Sequence, residues 1–512
     1  MIYNLESIYM RKSGILLHPT SLPGRFGIGE FDHHARAFVD FLAESGQKLW
    51  QVMPLGPTGY GDSPYQCFSA FAGNPLLISL EQLVAEGSLD ASWIENPPVF
   101  PSNKVDYGWV IDWKFKVLRA SYEKFATNAR AHERGELAKF VDENASWLND
   151  YSLFMALKEL HGGKVWTTWE PDIARHESAA WVAWRATLHD QVAYQQYLQF
   201  QFFKQWHALK KYANDQGIQV IGDIPIFVAF DSSDAWSTRE QFYFDETLQP
   251  TVVAGVPPDY FSATGQRWGN PLYRWDVMQA RGFDWWIARL RASLATYDVI
   301  RVDHFRGFEA YWEVPASEPT ATHGRWVKAP GYGLFERIME TLAPKDTNGK
   351  SAKLPMIAED LGVITAEVEA LRDRFELPGM RVLQFAFVAD TASDFLPHNY
   401  VRNCVAYSGT HDNDTTASWF TALDEATRTR VEDYLGKKSS GKAISMDMAR
   451  LLMMSCADTV VLTLQDLLGL GTDARMNFPG KGDGNWAWRY GEGVLTEKLA
   501  AGLKRMTETY GR

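Results

Sequence analysis

The stretch "YDVIRVDHF", Tyr297 to Phe305, decides how this chain is read. It begins as a buried strand, with apolar Val299, Ile300 and Val302, and then carries Arg301, Asp303 and His304 toward its carboxyl end. Residues two apart on a strand share a face, so Arg301 and Asp303 point the same way. Such a pair on a core strand either satisfies itself as a buried ion pair or serves chemistry at the strand's end.

Seven other runs resemble it: "SGILLHP" (13–19), "KLWQVMPL" (48–55), "IQVIGDIPIF" (218–227), "LPMIAED" (354–360), "MRVLQFAF" (380–387), "NCVAYSG" (403–409) and "DTVVLTLQD" (458–466). They lack strict alternation with polar residues, as expected of parallel strands buried on both faces. Helical patterns such as "HHARAFVDFLAESG" and "AEVEALRDRF" lie between most of them, so repeated βα units are the economical topology. Eight such units predict an α/β fold, a (β/α)8 TIM barrel with large, mainly helical insertions at the carboxyl ends of the strands. Two gaps are too long for ordinary βα connections. The first, about 57–215, holds "WKFKVLRASYEKFATNAR" and "WVAWRATLHDQVAYQQYLQFQFFKQWHALKKYA", amphipathic segments that predict an inserted helical subdomain. The second, about 228–296, carries a Gly- and Pro-rich stretch at 255–273. With no flexible linker and no internal repeat, residues 1–512 read as one elaborated catalytic domain.

Composition narrows the partners. Hydrophobic residues make up 46% and charged residues 22%, the balance of a chain able to bury a large core. A formal charge of −12 argues against nucleic acid or an anionic membrane as partner and favours a neutral substrate. The chain's 20 Trp, 21 Tyr and 29 Phe often sit in polar company, as in "KVWTTWEP" and "DGNWAWRY", which suits platforms for sugar rings. Cys67, Cys404 and Cys456 are odd in number and widely spaced, so neither a disulfide framework nor a zinc site is expected. No signal-like or membrane-spanning apolar run is read, and the expectation is a cytoplasmic protein, a monomer or weak homo-oligomer.

Four strand ends carry carboxylates: Asp223 in "IGDIP", Asp303, Glu359 in "IAEDLG" and Asp412 in "SGTHDND". In a barrel these ends meet at one mouth. Arg301 beside Asp303 favours an ionised carboxylate and predicts a lowered pKa, suited to a nucleophile. Glu359, at the next strand end beside other carboxylates, is expected to hold a proton and act as the acid. Two carboxyls with separated pKa values, about 5–5.5 Å apart, are what retaining glycosidic chemistry requires. His304 and His411 are candidates for hydrogen bonds to sugar hydroxyls.

The stretches "SGILLHPTSLPGRFGIGEF", "PLGPTGYGDSPYQCFSAFAGNP", "GDIPIFVAFDSSDAW", "GVPPDYFSATGQRWGNPLY", "IRVDHFRGFEAYWEVP", "IAEDLG", "SGTHDNDTT" and "RMNFPGKGDGNWAWR" resemble the 4-α-glucanotransferases of the amylomaltase (disproportionating enzyme) family, within the α-amylase clan. The resemblance implies that Asp303 is the nucleophile, Glu359 the general acid/base and Asp412 a third carboxylate gripping the distorted sugar. It implies that Arg301, His304, His411 and Asp223 line the donor site with Tyr65, that Tyr60 belongs to a remoter glucan contact, and that the stretch 255–273 is a lid over the acceptor side with Asp259 and Trp268 as its contact residues. The implied substrates are malto-oligosaccharides and α-glucans, with no cofactor and no metal. Lys481 departs from the small residue many relatives carry after "NFPG". Two readings compete with transfer: a hydrolase using the same carboxylates, and a catalytically dead glucan-binding protein.

Other signals are set aside. "GKKSSGKA" (436–443) has phosphate-loop spacing, but Ala443 stands where a Ser or Thr would hold Mg²⁺. "DHH" (32–34) reads as a helix cap followed by solvated histidines and not as a metal site.

Overall fold

The computed structural model describes residues 11–258, 262–343, 352–387 and 393–512. Its strands are β1 (Lys12–Leu16), β2 (Leu49–Gln51), β3 (Gln219–Ile224), β4 (Val252–Val256), β5 (Gln266–Pro271), β6 (Val299–Val302), β7 (Ala310–Pro315), β8 (Arg325–Lys328), β9 (Met356–Ala358), β10 (Gly379–Val382), β11 (Cys404–Tyr407) and β12 (Thr459–Thr463). Eight of them run parallel in the order β10, β11, β12, β1, β2, β3, β6, β9. Each overlaps one of the eight runs read from the sequence, β1 and β10 starting one residue earlier than read, and together they make a nearly closed barrel.

The seam lies between β9 and β10. There Ala358 N–H donates to the Pro378 carbonyl at 3.0 Å, and Asp360 Oδ1 accepts the Met380 N–H at 2.6 Å. Arg372 holds the other oxygen of Asp360 at 2.5 Å. A Cβ at Gly379 would stand 2.3 Å from that oxygen, so only glycine lets the carboxylate reach across.

Alternation along the strands separates two apolar layers. Leu16, Leu49, Ile221, Ile357, Met380, Val405, Tyr407 and Val461 fill the barrel interior. Ile15, Trp50, Val220, Ile300, Ala406 and Leu462 point outward into the cluster beneath the helices. That outer cluster also takes in Val110 of the helix Tyr107–Asn128 and Tyr197, Phe202 and Trp206 of the helix His189–Asp215, so barrel and inserted helices share one core. The second amphipathic segment is not one helix. It breaks at Leu188 into Ser178–Thr187 and His189–Asp215. No helix among the described residues is long and apolar enough to cross a membrane.

Beyond the eight runs read as strands, and partly in the stretch read as a loop (255–273), β5, β4, β7 and β8 form a four-stranded antiparallel sheet. The lid stretch 255–273 is therefore largely a hairpin, β4 pairing with β5 and with the distant β7. Short strands rich in Gly and Pro, paired across a wide sequence separation, leave little local signal.

A buried ion pair fastens an inserted helix to the barrel. Lys114 bonds Glu30 and the Leu76 carbonyl, while Glu30 also accepts the Leu80 N–H. Burial holds the Glu30 carboxyl up at about 7, against the pull of Lys114. Lys114→Met leaves that carboxyl buried without its partner and is expected to lower stability by about 3–5 kcal/mol. Urea denaturation checks this, with the double variant Lys114→Met/Glu30→Gln recovering part of the loss.

Candidate active site

On β6 the interior positions are Val299 and Arg301, and Asp303 follows at the mouth. Asp223 on β3 stands in register beside Arg301, and the two side chains meet at 2.5 Å, Arg301 Nη1 to Asp223 Oδ2. Arg301 Nη2 reaches Asp303 Oδ1 at 3.0 Å. The Tyr65 hydroxyl donates to Asp223 Oδ2 at 2.9 Å. One guanidinium thus bridges two carboxylates, and a bridge of this kind is oriented by its fixed fork. The Arg301 side chain is 5% exposed and that of Asp303 30%, so a ligand at the mouth meets the carboxylate and not the arginine.

Glu359 follows β9 directly. Its N–H donates to the Val302 carbonyl at 3.0 Å and its carbonyl accepts the Phe305 N–H at 3.1 Å, which pins it to the end of β6. Its Oε2 accepts the His304 N–H at 2.7 Å and its Oε1 the Leu361 N–H at 2.8 Å. The His304 amide belongs to the peptide that joins Asp303 to His304, so the two carboxyl groups are gathered around one peptide unit. His304 has φ 51°, a left-handed conformation that turns this amide toward Glu359.

Burial raises Asp303 to about 6; Arg301 opposes this and Asp223 adds to it. Arg301 therefore acts in the direction read from the sequence, but burial outweighs it, and the expected lowering of Asp303 is corrected. Burial, and next the charge of Asp303, raise Glu359 further, to about 8. Between these values Asp303 is ionised and Glu359 carries the proton. Burial pulls His304 down to about 3, so it is neutral at the mouth.

The third carboxylate stands after β11. Its segment is anchored by buried Asp466, which accepts Ser408 Oγ at 2.6 Å and the Thr416 N–H and Oγ1 at 2.7 Å each. Asp412 Oδ1 accepts Asn477 Nδ2 at 2.6 Å, and His411 Nε2 lies 3.4 Å from its Oδ2. The His411 ring stacks on Tyr65 at 5.1 Å and tilts against Trp486 at 5.8 Å. Trp486 has φ 62°, unusual for so large a side chain. Its N–H bonds the Met476 carbonyl at 2.6 Å, and its carbonyl accepts the Tyr107 hydroxyl at 3.0 Å.

Asp223, Arg301, Asp303, Glu359, Tyr65, His304, His411 and Asp412 are thus brought together. Trp268 on β5 sets its ring edge-on against His304 at 4.8 Å, placing the hairpin over that side of the mouth. Asp259 lies outside the described residues. Tyr60 is 80% exposed, beside Gly482 in the loop after β12 and outside this cluster. Lys481 in that loop lies 4.3 Å from the Phe478 ring. Asn477, Trp486 and His18, which burial keeps neutral by lowering its pKa to about 3, were not singled out from sequence; each sits inside a quoted family stretch, but no spacing marks it. Asp32 caps the helix His33–Glu44 by accepting the His34 and Ala35 N–H groups.

A sequence profile of the 4-alpha-glucanotransferase family matches residues 17–495. The chain is 50% identical over 508 residues to the 4-alpha-glucanotransferase of Thermus thermophilus, covering 98% of this chain and 99% of that one. It is 49% identical over 504 residues to the 4-alpha-glucanotransferase of Synechocystis sp., covering 98% of each. Among solved structures, the amylomaltase of Streptococcus agalactiae in complex with acarbose superposes with a TM-score of 0.93 at 42% identity, over 98% of this chain and 99% of that one.

Proposed function

The chain belongs to the 4-alpha-glucanotransferase family, and from that premise we propose that it transfers α-1,4-glucan segments by double displacement on Asp303 and Glu359. The observation that carries this reading is the single peptide amide from His304, bonded through its backbone to Asp303, that holds Glu359, while Arg301 bonds the Asp303 carboxylate. In the first step an Asp303 oxygen bonds the anomeric carbon as the bond to the leaving O4 breaks, and the Glu359 proton passes to that oxygen. In the second, the Glu359 carboxylate takes the proton of an acceptor 4-hydroxyl. That oxygen then bonds the anomeric carbon, and Asp303 is released.

Asp412 grips hydroxyls of the distorted sugar, and Tyr65, His304 and His411 shape the donor site around it. The β4–β5 hairpin with Trp268 covers the acceptor side and favours a sugar hydroxyl over water, and Asp259 is a further acceptor contact. Tyr60 serves a remoter glucan contact. Residues 57–215 form a helical subdomain on a single catalytic domain, which the shared core supports. Cys67, Cys404 and Cys456 are all free thiols, in keeping with a cytoplasmic location.

Incubation with maltotriose tests the reading. A ladder of longer oligomers with released glucose is expected; glucose and maltose alone would assign the site to hydrolysis. The pH dependence follows from the two carboxyls. Below about 6 Asp303 gains a proton and cannot attack; above about 8 Glu359 loses its own and cannot donate. The expected profile of kcat/KM is a bell between those values, and Glu359→Gln removes its alkaline limb.

A further inference from the structure

We propose that Asn477 is a positioning residue that holds Asp412 through a neutral donor, leaving the carboxylate's full charge for the sugar. The inference rests on the reading of Asp412 as the group that grips the distorted donor. Two carboxylates at this mouth, Asp223 and Asp303, are held by the cation Arg301. Asp412 is held differently. Asn477 Nδ2 bonds its Oδ1 at 2.6 Å, and among the described residues the one basic side chain within ion-pair distance is His411, at 3.4 Å. An amide donor fixes orientation without neutralising charge, whereas a lysine or arginine there would compete with the substrate for it.

The donor is itself held at both ends. The Asn477 N–H bonds the His411 carbonyl at 3.1 Å, and its carbonyl accepts Arg475 Nε at 2.7 Å. Arg475 Nη2 bonds the Asp412 carbonyl at 2.6 Å, so its charge faces the backbone and not the carboxylate. Backbone and side chain of Asp412 are therefore set by one three-residue segment, Arg475 to Asn477, that follows β12. Among the described residues, titratable groups facing the carboxylate include His411, Asp303 and Tyr65.

Three variants test this with maltotriose: Asn477→Ala, Asn477→Asp and, as reference, Asp412→Ala. Asn477→Ala is expected to lower kcat by about 10–100-fold, with acceptor KM and thermal midpoint nearly unchanged. In Asn477→Asp a shared proton keeps the bond at low pH and is lost as pH rises, so the alkaline limb of activity moves to lower pH. A residue that only braces the loop would lower the whole profile without moving its limbs. Asn477→Ala within twofold of the parent beside a disabled Asp412→Ala, or an Asn477→Asp profile parallel to the parent's, overturns the proposal. Near-normal turnover in Asp412→Ala would instead remove the reading of Asp412 on which it stands.

Discussion

Asp303→Ala is expected to lower kcat by at least about four orders of magnitude, the usual scale for loss of a nucleophile, while the protein stays folded. The fold should persist because the side chain is partly exposed and its partner Arg301 keeps Asp223 at 2.5 Å. Removing the carboxylate takes away the bond that holds the donor, so a better leaving group does not help. A donor such as maltosyl fluoride, whose departure needs no proton, should fail as completely as maltotriose. Measured turnover within tenfold of the parent on either donor would exclude Asp303 as the attacking group.

Glu359→Gln gives the second large effect, with a different signature. Proton donation to the leaving oxygen is worth typically about 10²–10⁴-fold, and the loss should sit in kcat with maltotriose. An amide also fits this pocket poorly: Oε1 and Oε2 both accept backbone N–H groups, from Leu361 and His304, and an amide nitrogen must face one of them. Maltosyl fluoride should restore the first step in this variant, and only in this one. Equal failure with both donors would mean that Glu359 does not supply the proton.

The barrel is legible in the sequence because its strands are buried on both faces, and eight mainly apolar runs announce them, Val299–Val302 being interrupted by Arg301 alone. The strand-borne part of the site is legible for the same reason: period two puts Arg301 and Asp303 on one face, and register then adds Asp223. What escapes is whatever depends on contacts between distant loops. The antiparallel sheet needs β4 to meet β7, and Asn477 meets Asp412 only because the chain returns after β12. The ionisation of Asp303 escapes differently, since a neighbouring arginine is visible in the sequence and the burial that outweighs it is not.

The amide of His304 has a consequence for the timing of the cycle. Double displacement asks each of the two side chains to reverse its own task halfway through, Asp303 from attacker to leaving group and Glu359 from acid to base, after the product has left and before the next sugar arrives. Attacker and shuttle meet at one rigid plane, the Asp303–His304 peptide, whose N–H bonds Glu359 at 2.7 Å, and both stand on barrel strand ends and not on the hairpin that covers them. The spacing set for the first act is inherited by the second without having to be found again.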